Sequence, residues 1–149
     1  TWAHTNFSLG RTLSYAYDHF IPAIYSECPS TRCVSINDLE VYLRGALNVM
    51  KLIGMTQGKL EGSPSKYYLS GNGDTDQCVS ATTDGFFQPD KNLLDLVKKG
   101  ESLGTIKTLS GELLEEVFLP IQGFVGMLRM LPSPHVGHSL FMIVNGFKL

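Results

Sequence analysis

The sequence predicts a fragment of an α/β domain followed by an all-β sandwich. Three observations carry this expectation: helical and extended apolar runs alternate up to residue 57, the composition turns to Gly, Ser, Asn, Asp and Lys over 58–76, and short β-like runs fill 77–149. The reading is therefore an α/β portion at 1–57, a connecting excursion at 58–76 and a β domain at 77–149.

The first element is a short amphipathic helix, with Leu9, Leu13, Ala16, Tyr17 and Phe20 on one face and Ser8 as its N-cap. Pro22 disfavours helix at the residue before it. The apolar run Ile21–Tyr25 then reads as a short buried strand ending on the carboxylate Glu27. After a Cys-Pro-Ser-Thr-Arg-Cys loop, Ser35 and Asp38 stand three apart like a capping box. Leu39, Leu43, Ala46, Leu47, Met50 and Ile53 keep helical spacing until Gly54 closes the helix. Helix, strand, helix is too little to close a sheet alone, so the α/β portion is expected to need further chain.

Beyond the excursion, β runs are expected at Cys78–Ala81, Gly104–Lys107, Leu114–Leu119, Phe124–Met130 and Leu140–Val144, separated by Gly, Pro and Ser turns. They carry a weak internal repeat. Asp84-Gly85-Phe86-Phe87 echoes Gln122-Gly123-Phe124-Val125, and Gly100, Leu103, Ile106 echo Gly137, Leu140, Ile143, at offsets of 38 and 37 positions. Near-equal offsets imply a duplicated β unit with two-fold pseudo-symmetry.

Composition narrows the function. The 149 residues are 43% hydrophobic and 17% charged, ordinary for a globular chain. A net charge of -2, with basic residues scattered apart from Lys98-Lys99, gives no field for nucleic acid or an anionic membrane. No apolar stretch reaches the roughly 18 residues of a spanning helix, and no basic-then-apolar leader opens the chain, so a cytoplasmic protein is expected. Three cysteines, at 28, 33 and 78, do not make a disulfide framework and favour a reducing compartment, although Cys28 and Cys33 could pair across their loop.

Several segments resemble a known family. "TTDGFFQP", "DLVKKGESLGTI" and "GELLEEVFLPIQGFVGMLRMLPSPHVGHSLFMIV" are similar to the C-terminal β domain of the succinylglutamate desuccinylase and aspartoacylase family. "IPAIYSE" and "LRGALNVMKLIGM" resemble that family's last catalytic strand and the helix after it. The resemblance covers about residues 10–55 and 78–144. It implies a remnant of a zinc-carboxypeptidase-like domain joined to a barrel-sandwich resembling lipoyl and biotinyl carriers. The carriers' modified hairpin lysine has no counterpart at 119–123.

On this resemblance Glu27 is the catalytic acid/base of a zinc amidohydrolase, acting on the metal-bound water. A carboxylate at a strand's carboxyl end is suited to carry a proton from attacking water to a leaving amine. The family's metal ligands, a His-x-x-Glu pair and a later His, have no match here. No His-x-x-Glu occurs, His4 and His19 lie too near Glu27, and His135 and His138 flank a glycine at a β-domain turn. No metal residue is assigned, and the zinc ligands are expected on an N-terminal segment of the same polypeptide. Arginines that grip a substrate carboxylate bidentately would be Arg11 and Arg32. Cys28-Pro29 replace the glycines that usually follow the family's Glu and leave the substrate open.

The chain begins at Thr1, between the family's last zinc ligand and Glu27. Cleavage there, self-processing included, would leave an α-amine beside the Thr1 hydroxyl, the pair that N-terminal nucleophile amidases use. The expected function is part of a zinc-dependent deacylase cleaving an N-acyl amino acid or related amide. The alternatives are a processed amidase using Thr1 and a noncatalytic assembly module. Expected partners are the upstream segment, a small-molecule substrate and a possible second copy, with no nucleic acid and no membrane.

Overall fold

The computed structural model describes residues 10–27, 34–70 and 78–149. The chain divides into two compact units, Thr1–Pro64 and Ser65–Leu149, each taken here by itself.

The first unit is built on α1 (Thr12–Asp18) and α2 (Ile36–Leu52). Arg11, not Ser8, is the N-cap of α1 and makes no side-chain capping bond; Ser8 lies outside the described residues. The helix ends in a double turn, with Phe20 N–H donating to Tyr17 O and Ile21 N–H to Ala16 O. That pattern needs a left-handed residue, and Phe20 takes the place with φ 55°. Pro22 follows, where a helix can no longer continue.

The strand expected over Ile21–Tyr25 does not form. Tyr25 makes an isolated bridge, and Ile21 and Ile24 are 52% and 61% exposed. A strand exists only by pairing, and the described residues of this unit contain no strand to pair with.

Helix α2 follows its sequence signals closely. Ser35 Oγ accepts from Asp38 N–H at 3.4 Å. At the other end Gly54, at φ 78°, donates to Lys51 O while Met55 N–H donates to Met50 O. These are the two bonds of a glycine-terminated helix end. Its apolar side is uncovered: no residue of α2 is buried, and Leu39 and Leu43 are 57% and 59% exposed. One stretch does return to it. The Asn48 side-chain amide donates to Glu61 O at 2.6 Å and accepts from Glu61 N–H at 3.0 Å, and Lys51 Nζ lies 2.6 Å from Glu61 Oε1.

The second unit is a two-layer β structure of β1 (Tyr67–Ser70), β2 (Val79–Ser80), β3 (Phe86–Pro89), β4 (Leu96–Val97), β5 (Ser102–Lys107), β6 (Leu113–Phe118), β7 (Gly123–Leu128) and β8 (Ser139–Lys148). One sheet runs β1-β8-β7-β4 with β2 also on β8, and the other runs β3-β5-β6. All pairings are antiparallel. The described strands form two sheets, as a sandwich requires, and no closed barrel; the likeness to lipoyl carriers expected of a barrel-sandwich is not shown. Tyr67–Ser70, read as part of a connecting excursion, is a strand because β8 extends far enough to pair with it, Tyr68 opposite Phe147.

The repeat is visible in the register. Phe87 pairs with Ile106 across β3 and β5, and its counterpart Val125 pairs with Ile143 across β7 and β8. Gly100 and Gly137, two residues before β5 and β8, share a left-handed backbone at φ 81° and 82°. The inward residues of both sheets, among them Phe87, Val97, Leu103, Ile106, Val117, Val125, Leu140 and Phe141, form one core. Each of the larger fully buried side chains contributes roughly 1.5–3 kcal/mol by leaving water.

Candidate functional site

Glu27 lies at the end of the extended segment that follows α1 and is exposed, so the partly desolvated cleft expected around it is not formed among the described residues. Its carboxylate is nonetheless engaged. Residues two apart on extended backbone share a side, and the Tyr25 hydroxyl donates a hydrogen bond to Glu27 Oε1. That bond is the main reason the Tyr25 phenol is held above its usual value of 10.0. Desolvation and the Glu27 charge push the same way, as does Tyr42, while the Arg11 cation opposes them. Arg11 thus acts on Tyr25, the phenol bonded to Glu27, although one residue precedes α1 and the other two end the segment after it.

The sequence reading missed Tyr25. The signal was present in the two-residue spacing of Tyr25 and Glu27, but it says nothing without the knowledge that the backbone is extended there. Thr1 and Arg32 lie outside the described residues, as do His4, Cys28 and Cys33.

The remaining histidines have structural partners. His19 Nδ1 lies 2.8 Å from Tyr15 O, and its ring stacks on Tyr15 at 3.9 Å. In the β unit, His135 Nδ1 pairs with Asp84 Oδ2 at 3.1 Å and His135 N–H donates to His138 Nδ1 at 3.1 Å. Val136 N–H donates to Asp84 Oδ1 at 2.8 Å. The Val136 bond first, then His135, holds the Asp84 carboxyl below its usual range. This cluster ties a turn to the start of β3. Among the described residues no group of three His, Cys, Asp or Glu is placed to hold a metal ion. The described residues therefore do not make a zinc site, and no chemical step is derived through zinc. None of the described helices is long and apolar enough to cross a membrane.

A groove of about 310 Å³ in the β unit is lined by Phe86, Gln88, Lys107, Thr108 and Leu109. Its amine is already committed, since Lys107 Nζ donates to Gln88 Oε1 at 3.1 Å. No carboxylate lines the groove, and the Thr108 hydroxyl is held in its own turn, accepting from Glu112 N–H at 3.0 Å and lying 2.8 Å from Ser110 Oγ. The Glu27–Tyr25 pair is the better candidate for chemistry.

No known family model matches the sequence, and no curated protein is similar to it. Solved structures do resemble it. A succinylglutamate desuccinylase/aspartoacylase from Rhodobacter sphaeroides aligns with 77% of this chain and 37% of its own, at 22% identity and a TM-score of 0.62. A succinylglutamate desuccinylase from a Silicibacter species aligns with 77% of this chain and 35% of its own, at 20% identity and a TM-score of 0.67. A putative family protein from Shewanella amazonensis aligns with 91% of this chain and 40% of its own, at 19% identity and a TM-score of 0.65. The chain thus spans well under half the length of each of these proteins, and over most of its own length it has the fold of the succinylglutamate desuccinylase/aspartoacylase family.

Proposed function

We propose that this chain is part of an amide hydrolase of the deacylase type, with Glu27 as the group that moves the proton. The observation that carries the reading is the fold shared with desuccinylase and aspartoacylase structures; the hydrogen bond from Tyr25 supports Glu27 as an engaged carboxylate. In this reading Glu27 takes a proton from the attacking water and returns it to the nitrogen of the leaving amine as the C–N bond breaks. Arg11, whose charge acts on Tyr25, is suited to hold the carboxylate of an N-acyl amino acid.

The first unit supports a further partner. A helix with an apolar stripe normally turns it to a core, and α2 buries none of its residues. We assign that covering role to an N-terminal segment of the same polypeptide. The zinc that the family uses would be held there, so it enters only as a group bound outside the described residues. Thr1 and Arg32 have no described geometry and are given no step.

The test is hydrolysis of N-acyl amino acids, N-succinyl and N-acetyl forms first, by the full-length protein and its Glu27→Gln variant. A loss of about 10²- to 10⁴-fold in kcat/KM with an unchanged unfolding midpoint is expected for a proton-transfer group. A variant as active as the parent would overturn the assignment.

A further inference from the structure

The Tyr25–Glu27 contact carries more than the placement of one carboxylate. Glu27 is exposed and has several rotatable bonds. Such a side chain samples many orientations and loses rotamer freedom when fixed. An unrestrained carboxylate is therefore poorly poised to receive a proton from a particular direction, and a misplacement on the order of 1 Å can cost large factors in rate.

Tyr25 is built to remove that freedom. An ionised carboxylate only accepts hydrogen bonds, so the donor in this pair is the phenol. Tyr25 also has only two side-chain torsions and a rigid ring, and its backbone is held by an isolated β-bridge. We propose that Tyr25 is the positioning residue of the Glu27 site: its hydroxyl occupies Oε1 and leaves Oε2 as the oxygen that takes the proton. This rests on the reading of Glu27 given above. Tyr25 keeps its own proton throughout. The proton taken from water goes to Glu27 Oε2 and leaves for the amine nitrogen, and nothing is oxidised or reduced.

The groups acting on the pair agree with this role. Tyr42 adds to the cost of ionising Tyr25, and Arg11 lowers it without reversing the direction. The phenol therefore stays a donor well above neutral pH, and the contact persists wherever Glu27 is charged.

The experiment uses the full-length protein with Tyr25→Phe, Glu27→Gln and the double variant, and it has two readouts. In phenolate absorbance titrations, the Tyr25 signal, identified by subtracting the Tyr25→Phe curve, is expected above the ordinary tyrosine range in the parent and back in that range in Glu27→Gln. In kinetics, Tyr25→Phe is expected to lower kcat about tenfold with KM within about twofold, and to cost nothing further in the Glu27→Gln background, as coupled residues do.

A Tyr25 titration unmoved by Glu27→Gln would overturn the contact, and this arm needs no activity. Parent-like kcat in Tyr25→Phe beside an inactive Glu27→Gln would remove the positioning role and leave Glu27 standing. An active Glu27→Gln would instead remove the function on which both rest.

Discussion

Gly85 lies so close beneath Ile106 that a β-carbon there would stand 2.6 Å from the isoleucine Cγ2. Its repeat counterpart Gly123 has the same neighbour, with a β-carbon falling 2.7 Å from Ile143 Cγ2. In both places the strand following the isoleucine adds a backbone carbonyl, Lys107 O or Val144 O, to the obstruction. Neither backbone can yield without disturbing a ladder. Gly85→Ala and Gly123→Ala are each expected to destabilise the β unit by roughly 1–3 kcal/mol, as overpacking does. Urea unfolding checks this, and a loss confined to one of the two sites would argue against their equivalence.

The Asn48 amide clamps the Glu61 backbone in both directions, at 2.6 and 3.0 Å. Asn48→Ala removes two hydrogen bonds, each worth about 1 kcal/mol net. The expected outcome is faster cleavage of the 58–64 stretch under limited proteolysis, with the unfolding of the β unit unchanged. Asn48→Asp should be nearly as damaging, because a carboxylate cannot donate to Glu61 O.

Asp84 fastens the turn at 134–138 through Val136 N–H and His135. A carboxyl held below its ordinary value, 3.8 for aspartate, stabilises the folded state at pH above that value, and the contribution is lost as pH falls through the lower folded value. The protection of the Val136 amide, its exchange relative to an unstructured amide at the same pH, should therefore be high at neutral pH and fall on acidification below about 4. Asp84→Ala, which removes the acceptor, should leave Val136 unprotected at every pH, whereas Asp84→Asn, whose Oδ1 still accepts, should abolish only the acid-dependent step.

Phe20 ends α1 in a left-handed conformation, φ 55°, that costs a residue with a β-carbon roughly 1–2 kcal/mol. Its side chain is 96% exposed and offers little packing in return. Phe20→Gly is expected to raise the stability of the last turn of α1 by about 1 kcal/mol. Slower amide exchange at Phe20 and Ile21 would report it. A loss of stability instead would mean that the ring is covered in the full-length protein.

What the sequence determined by itself is what chemistry within a few residues decides. Ser35 and Gly54 bracket α2 because a cap and a helix-ending turn are built from neighbours along the chain. The duplicated β unit was legible because each half repeats the same local devices, a left-handed glycine and an inward-facing isoleucine, at nearly the same spacing. Pairing over distance was not legible. Tyr67–Ser70 became a strand only through β8, whose partner residues lie some 75 positions away or more. Ile21–Tyr25 had every local mark of a strand, but among the described residues there is no strand in its unit for it to join, and it makes only the isolated bridge at Tyr25. The same limit holds at the candidate site. Glu27 stood out as a carboxylate, but its bond to Tyr25 and the nearness of Arg11 depend on how the chain turns at Phe20 and runs extended past Pro22. Hydrogen bonds along a backbone are specified by adjacent residues, whereas contacts between segments exist only once the whole chain has chosen its path.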